Sequence, residues 1–539
     1  MRLSAHAVPD GIARHMFLHK RSEGSASLLF MKYNGRAYSE IESAGIGGLM
    51  FRKIVAPIAC VVLMSVAAYA QDAKSLIQAA SKVMGIENVN SVMFYGSGAN
   101  FNLGQSNNAN GPWPRTNLND YVRAIDFSQP ASLATAVTWS VPVTGGAAAQ
   151  GAFTQNITSA NNVWAQQLEI WITPWGFLKG AAENKATVRD DSLGLKRYRV
   201  VTWKTSQNSP SGKPYTVEGF INSDNLVDRV NTWIEHPLFG DMLVQTIYSD
   251  YRDNNGFKFP ASIVQKRGGW DTFEAQILWA NPNPANIQQL LTPPAPRAAA
   301  TGNPVAPAAS AATAPSPKSE KLADGVYRIN GAYNALAIEF KDHIVLFEGG
   351  PQSEARALEI IAEAKRVIPN KPIRYSILSH HHIDHSNGLS AIVAEGATII
   401  THEVNKQFLS KALTAKRTLQ PDSMTAAGKK PKIEVIEEKR VLEDETHTVE
   451  IHHVVGLPHA DGMLMVYLPK EKILAYADMF NLPPADNPVP NPPVVGTMVF
   501  LANIERLKLE PEKIMSVHSL NPDRLATRAD ILKSLGRAP

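Results

Sequence analysis

Ser379-His380-His381-His382-Ile383-Asp384-His385-Ser386-Asn387-Gly388 places four histidines and a carboxylate in six consecutive positions, 380 to 385. The run follows Ile373-Arg374-Tyr375-Ser376-Ile377-Leu378, whose β-branched and aromatic residues read as a buried strand. The Asn387-Gly388 pair reads as a turn. Polar, chemistry-bearing residues in a loop at a strand end are held by the sheet behind them. His380, His382, Asp384 and His385 form the spacing H-x-H-x-D-H. Alternate side chains of an extended segment share a face, so His380 and His382 converge on one point. Asp384 and His385, beyond a bend, face a second. Neutral imidazole and carboxylate suit zinc and other borderline divalent metals. His381 points away from its neighbours and reads as a solvent-facing or outer-layer group.

Three further residues stand downstream at the ends of apolar segments. His459 lies in Gly456-Leu457-Pro458-His459-Ala460-Asp461-Gly462, after the strand Val449 to Val454. Asp478 ends a hairpin made of Met463 to Leu468, a turn at Pro469 to Lys472, and Ile473 to Ala477. His518 follows the strand Ile514-Met515-Ser516-Val517. The order of these elements resembles the metallo-β-lactamase-fold hydrolase superfamily over about residues 321–539. The resemblance implies that His380, His382 and His459 bind one metal. Asp384, His385 and His518 bind a second, and Asp478 bridges the two. It also implies two zinc ions or other divalent metals and a metal-bridging hydroxide as nucleophile, with Asp384 orienting it and passing its proton to the leaving group.

The sequence departs from that pattern in places. Ala477 and Ser519 stand where glycine is usual, and Glu348 replaces a common aspartate, from where it is expected to orient a histidine. None of these removes a ligand. By the same resemblance Asp478 favours lactonase-, thioesterase- or phosphodiesterase-like relatives over true β-lactamases. His382 stands where the diiron oxygen-reducing branch carries glutamate.

A chain of 539 residues allows two or three domains. Its 44% hydrophobic and 19% charged residues are ordinary for a globular protein, and a net charge of +4 gives no nucleic-acid signature. Cys60 is the single cysteine, which excludes a disulfide framework. It sits within an apolar stretch, Ile54 to Val66, between Met50-Phe51-Arg52-Lys53 and Ala68-Tyr69-Ala70. That combination reads as residues 50–70 forming a secretory signal peptide cleaved near Ala70. Residues 1–49, upstream of it, read as a gene-model extension. The expected location is periplasmic or secreted, with no transmembrane helix in the mature protein.

Residues 71–291 read as a β-rich domain. Ala73 to Met84 has Leu76, Ile77, Ala80 and Val83 at helical spacing, and Gly85 stops it. Alternating segments follow: Val92 to Gly96, Leu168 to Ile172, Arg197 to Trp203, Tyr215 to Ile221 and Leu243 to Tyr248. Turn signals such as Asn255-Gly256 separate them, as in an antiparallel meander. All nine tryptophans fall between Trp113 and Trp279, which suggests a core separate from that of the metal-binding part. Residues 292–320 are rich in proline and alanine and read as a semi-extended spacer. Within 321–539, the catalytic domain, Ser353 to Ile368 reads as a helix stopped by Pro369. The insertion from Glu403 to Glu438 and the six-proline stretch Asn481 to Thr497 are expected to shape a pocket.

The fold class is therefore α+β: a C-terminal αββα metallo-β-lactamase sandwich preceded by an antiparallel β-rich domain with a helix. The expected function is an exported dinuclear metal-dependent hydrolase acting on an ester, lactone, thioester or amide-like bond of a small-molecule substrate. One alternative is a β-lactamase. Another is a periplasmic lipid- or envelope-binding protein whose N-terminal domain binds an apolar ligand, with the metal domain secondary.

Overall fold

The computed structural model describes residues 72–140, 149–160, 163–294, 319–483 and 489–538. The expected extension and signal peptide, most of the Pro/Ala-rich spacer, and residues 484–488 of the later proline-rich stretch lie outside the described residues. Among the described residues no helix is long and apolar enough to cross a membrane.

The N-terminal region begins with a helix over 72–84 that buries Ala73, Ile77, Ala80 and Met84. It stops at Gly85, whose φ of 66° a side chain would strain. Eleven strands then build one antiparallel sheet. Strands adjacent in sequence pair, except that Ala149–Ile157 and Thr187–Leu193 do not pair with each other and form the two edges, and Ser91–Phe101 also pairs with Trp270–Pro282. Between those edge strands in sequence lie two helices, Trp164–Trp171 and Pro174–Glu183. Their tryptophans pack into the sheet: Trp164 stacks on Tyr215 at 6.0 Å and Trp175 on Phe257 at 5.4 Å.

Leu168 to Ile172, expected as a strand, is thus mostly helix. Trp164 and Leu168 are buried one turn apart, and Thr173-Pro174 opens the next helix, with Thr173 Oγ1 accepting from Gly176 N at 3.0 Å. A short apolar run fits either period, and the capping residues decide it.

The C-terminal part holds two facing sheets. Seven strands from Ser319–Ala323 to Lys432–Ile436 follow one another in order, the last four parallel. Five more run from Lys439–Glu443 to Lys513–Ser516. Val345, Phe347 and Ile377 of the first sheet share one apolar cluster with Val449, Ile451 and Val466 of the second. Helix Glu354–Val367, capped by Ser353, packs outside the first sheet, and Val495–Arg506 covers the second. The result is the αββα sandwich. Glu348, His380, Asp478 and His518 each follow the C-terminal end of a strand, so the loops that carry them gather along one edge.

The expectation of a separate core under the tryptophans is not met. One apolar cluster runs from Ala73 through the N-terminal sheet to Met424. Its link is Phe408 on helix Lys406–Leu413, which meets Trp113 at 6.1 Å, Trp270 at 5.9 Å and Phe239 at 5.6 Å. Arg417 Nη2 adds a hydrogen bond to the Leu238 carbonyl at 2.7 Å. This part of the 403–438 insertion, read as a pocket wall, instead anchors the N-terminal region.

Candidate metal centre

All seven side chains singled out in the sequence meet at that edge. Ligand atoms of His380, His382 and His459 lie within 4.8 Å of one another, as do those of His380, His385 and Asp478, and of Asp384, His385 and His518. Nε2 of His380 and His459 face each other at 3.2 Å, and Nε2 of His385 and His518 at 3.3 Å. Two nitrogens on one tetrahedral ion at about 2.0–2.1 Å stand roughly 3.3 Å apart. Asp478 lies between the groups. Its Oδ2 is 2.9 Å from His385 and 3.8 Å from His380, and its Oδ1 is 2.9 Å from His518 and 3.9 Å from His459. A φ of 54° turns this aspartate inward straight after its strand.

The surrounding contacts fix the ring orientations. His385 Nδ1 donates to Glu348 Oε2 at 2.6 Å, which leaves Nε2 facing the cluster. Glu348 also accepts from Ser379 N at 2.7 Å. His382 Nε2 lies 2.8 Å from the carbonyl oxygen of Ser106. A carbonyl only accepts, so the proton sits on Nε2 and the Nδ1 lone pair is free. Asp384 is held at both oxygens, by Gln105 Nε2 at 2.7 Å and by the Tyr333 hydroxyl at 2.9 Å. Inner members of the cluster are buried, but the side chains of Asp384 and His518 stay 32% and 30% exposed, which marks the open mouth.

Electrostatics match this arrangement. Burial, reinforced by neighbouring imidazoles, holds His380 well below the usual histidine range and His382 at about 3, and burial also lowers His459. Those three stay neutral with lone pairs available. Burial opposes a charge on His385, yet Glu348 and Asp478 outweigh it and raise its pKa well above normal. Asp478 is held well below the carboxylate range despite burial, through His385 and His518. Its Oδ2 is buried without a hydrogen-bond donor of acceptable geometry. Paired nitrogens at ligand spacing and an unsatisfied buried carboxylate oxygen fit a cationic pair.

Other histidines fall elsewhere. His381 is fully buried rather than solvent-facing, with its ring 5.6 Å from Phe408 and Nε2 3.4 Å from Ser106 Oγ. His402 accepts from Val404 N at 3.3 Å, and its ring lies tilted against His453 with centres 4.1 Å apart. His452 pairs with Glu450 at 2.9 Å along its strand. Sequence reading overlooked Tyr333, Gln105 and Ser106. No motif marks them, and the last two lie in the N-terminal region.

Residues 328–514 match the family model of the metallo-beta-lactamase superfamily. No curated protein matches the chain. Among solved structures, it is similar to a metallo-beta-lactamase from Hirschia baltica, with 21% identity, a TM-score of 0.29, and 41% of this chain and 96% of that one covered. Rubredoxin oxygen:oxidoreductase from Desulfovibrio gigas matches with 16% identity and a TM-score of 0.31, over 41% of this chain and 61% of that one, less than two thirds of its length. A stereoselective inverting sec-alkylsulfatase from Pseudomonas sp. matches with 15% identity and a TM-score of 0.28, over 41% and 40%.

Proposed function

Because residues 328–514 form a metallo-beta-lactamase superfamily domain, we propose that this chain is an exported, dinuclear metal-dependent hydrolase. It cleaves an ester, lactone, thioester or amide-like bond of a small molecule. The observation that carries the reading is Asp478, with one oxygen 2.9 Å from His385 and the other 2.9 Å from His518. His380, His382 and His459 would hold one ion, Asp384, His385 and His518 the other, with Asp478 shared. Two zinc ions there supply Lewis acidity that polarises a substrate oxygen and acidifies water. Asp384, partly exposed at the mouth with both oxygens oriented, orients the attacking water, takes its proton and passes that proton to the leaving group. Export rests on the reading of residues 50–70 as a signal peptide.

The test is metal analysis of the full-length protein beside a panel of ester, lactone, thioester, phosphodiester and β-lactam substrates. About two divalent ions per chain, with turnover lost to a chelator and restored by zinc, support the proposal. A chain that takes up no metal and shows no chelator-sensitive turnover removes it. Turnover confined to nitrocefin would select the β-lactamase alternative.

A second reading has its own observation. The N-terminal region carries a cavity of about 390 Å³ whose walls are Phe94, Phe101, Trp175, Phe273 and, from the metal loop, Ile383, with Arg123, Glu169 and Arg267 also lining it. That size and its aromatic walls suit the apolar body of a small ligand, with the charged side chains left to meet a polar end. Organic extraction of the full-length protein with mass spectrometry should return apolar compounds near one per chain. Extracts free of them, with no uptake of a fluorescent fatty acid, would discard this reading.

A further inference from the structure

The loop that follows strand Ser91–Phe101 leaves the N-terminal sheet and lies across the metal centre. Its contacts run in sequence order along three ligand-bearing residues or their neighbours. The Gly104 carbonyl accepts from Ile383 N at 3.2 Å. Gln105 Nε2 donates to Asp384 Oδ1 at 2.7 Å, and the Ser106 carbonyl meets His382 Nε2 at 2.8 Å. Asn107 then reaches the loop of His459, donating from Nδ2 to the Pro458 carbonyl at 2.8 Å while its own carbonyl accepts from Asp461 N at 2.9 Å. Asn108 donates to Asp461 Oδ2 at 3.1 Å. The approach is close: a Cβ on Gly104, whose φ is 76°, would stand 2.2 Å from Ile383 Cγ2. Only glycine lets the loop backbone come this near the Ile383 side chain.

We infer that this loop is a working part of the metal centre, with Gln105 positioning Asp384 and the Ser106 carbonyl setting the tautomer and ring plane of His382. The inference rests on the hydrolase reading. Ionised carboxylate oxygens accept more than one partner, and a carboxylate free to rotate offers a metal no fixed lone pair. Tyr333 pins Oδ2 from within the metal domain, but Oδ1 has Gln105, reached across 279 residues of sequence. The N-terminal region is in this view part of the site rather than an appended module, which gives a chemical reason for the shared core between them. Gln105 is a positioning residue, since it acts through Asp384.

The experiment compares full-length wild type, Gln105→Met, Gln105→Glu, Asp384→Ala and the double variant Gln105→Met/Asp384→Ala, reading zinc affinity of each binding step by chelator competition beside thermal stability. Gln105→Met keeps the shape and removes the donor. It should weaken one binding step about 10–100-fold, the range for partners behind a ligand, and leave the other step and Tm unchanged. Gln105→Glu sets an anion against Asp384 and should weaken that step at least as much. The double variant should bind no worse than Asp384→Ala alone, because the interaction is already gone. Wild-type affinity in both Gln105 variants overturns the inference. So do additive losses in the double variant, or parallel losses at both steps with a lowered Tm. A wild-type protein that binds no zinc removes the hydrolase reading itself, a result separable from two tight sites indifferent to Gln105.

Discussion

Glu348 accepts a hydrogen bond from Nδ1 of His385 at 2.6 Å, and neither side chain has measurable solvent exposure. The carboxylate sits one residue past its strand at φ 60°, a conformation uncommon for a residue other than glycine, and also receives Ser379 N. It therefore fixes both the His385 ring and the start of the histidine loop. Glu348→Gln keeps the shape and removes the charge. Zinc affinity should fall about 10–100-fold by chelator competition, as for other partners behind a ligand. An unchanged affinity would make Glu348 a structural residue only.

Asp384 is the most exposed carboxylate of the cluster, and its donors Gln105 and Tyr333 aim it at the mouth. Asp384→Asn keeps the volume but loses the charge and the basic oxygen. Turnover of whichever panel substrate the wild type accepts should fall by roughly a hundredfold or more, the scale of lost general acid–base help. Far-ultraviolet circular dichroism should be unchanged. Activity within a few-fold of wild type would exclude Asp384 from the proton transfer.

Much of the cluster was legible because its signals are local. His380, His382, Asp384 and His385 fit within six residues after a recognisable strand, and Asp478 and His518 close segments whose apolar runs announce them. Parallel pairing within each sheet, and the facing of the two sheets, then bring those strand ends together. Gln105 and Ser106 carry no such signal: their partners lie 279 and 276 residues away, and only the docking of one region on another creates the contacts. The same holds for Phe408, legible as helical but not as the residue joining two apolar regions. Leu168 to Ile172 is ambiguous for a different reason: five apolar-rich residues satisfy either period, and only the Thr173-Pro174 start of the next helix tips the segment toward helix.

Phe408 gives the joint between regions a measurable size. Its side chain is 1% exposed and meets Trp113, Trp270, Phe239 and His381. Beside it, Lys411 Nζ lies 4.1 Å from the Trp270 ring centre. Phe408→Ala should cost about 3–5 kcal/mol, the usual range for truncating a buried phenylalanine. Urea unfolding followed by tryptophan fluorescence reads it, since two of the reporting indoles line the gap. A loss under about 1 kcal/mol, the scale of a surface change, would mean the joint is loosely packed.

His236 makes stability depend on pH. Burial foremost, with the guanidinium groups of Arg267 and Arg417, holds its imidazole at about 4. Nδ1 accepts from Leu238 N at 3.1 Å and Phe239 N at 3.2 Å, so protonation there would set donor against donor. In the unfolded chain the ring titrates near 6.5. Between those values the unfolded state binds the extra proton, so stability rises with pH across the window and is lost as pH falls from about 6.5 toward 4. The depressed pKa corresponds to about 3–4 kcal/mol once both states are protonated at the acid end. Urea unfolding of metal-free wild type and His236→Gln at pH 7.5 and 4.5 isolates this group, because every other titration is common to both. Wild type should lose about 2–3 kcal/mol more than the variant between the two pH values, and equal losses would assign the acid sensitivity to other groups.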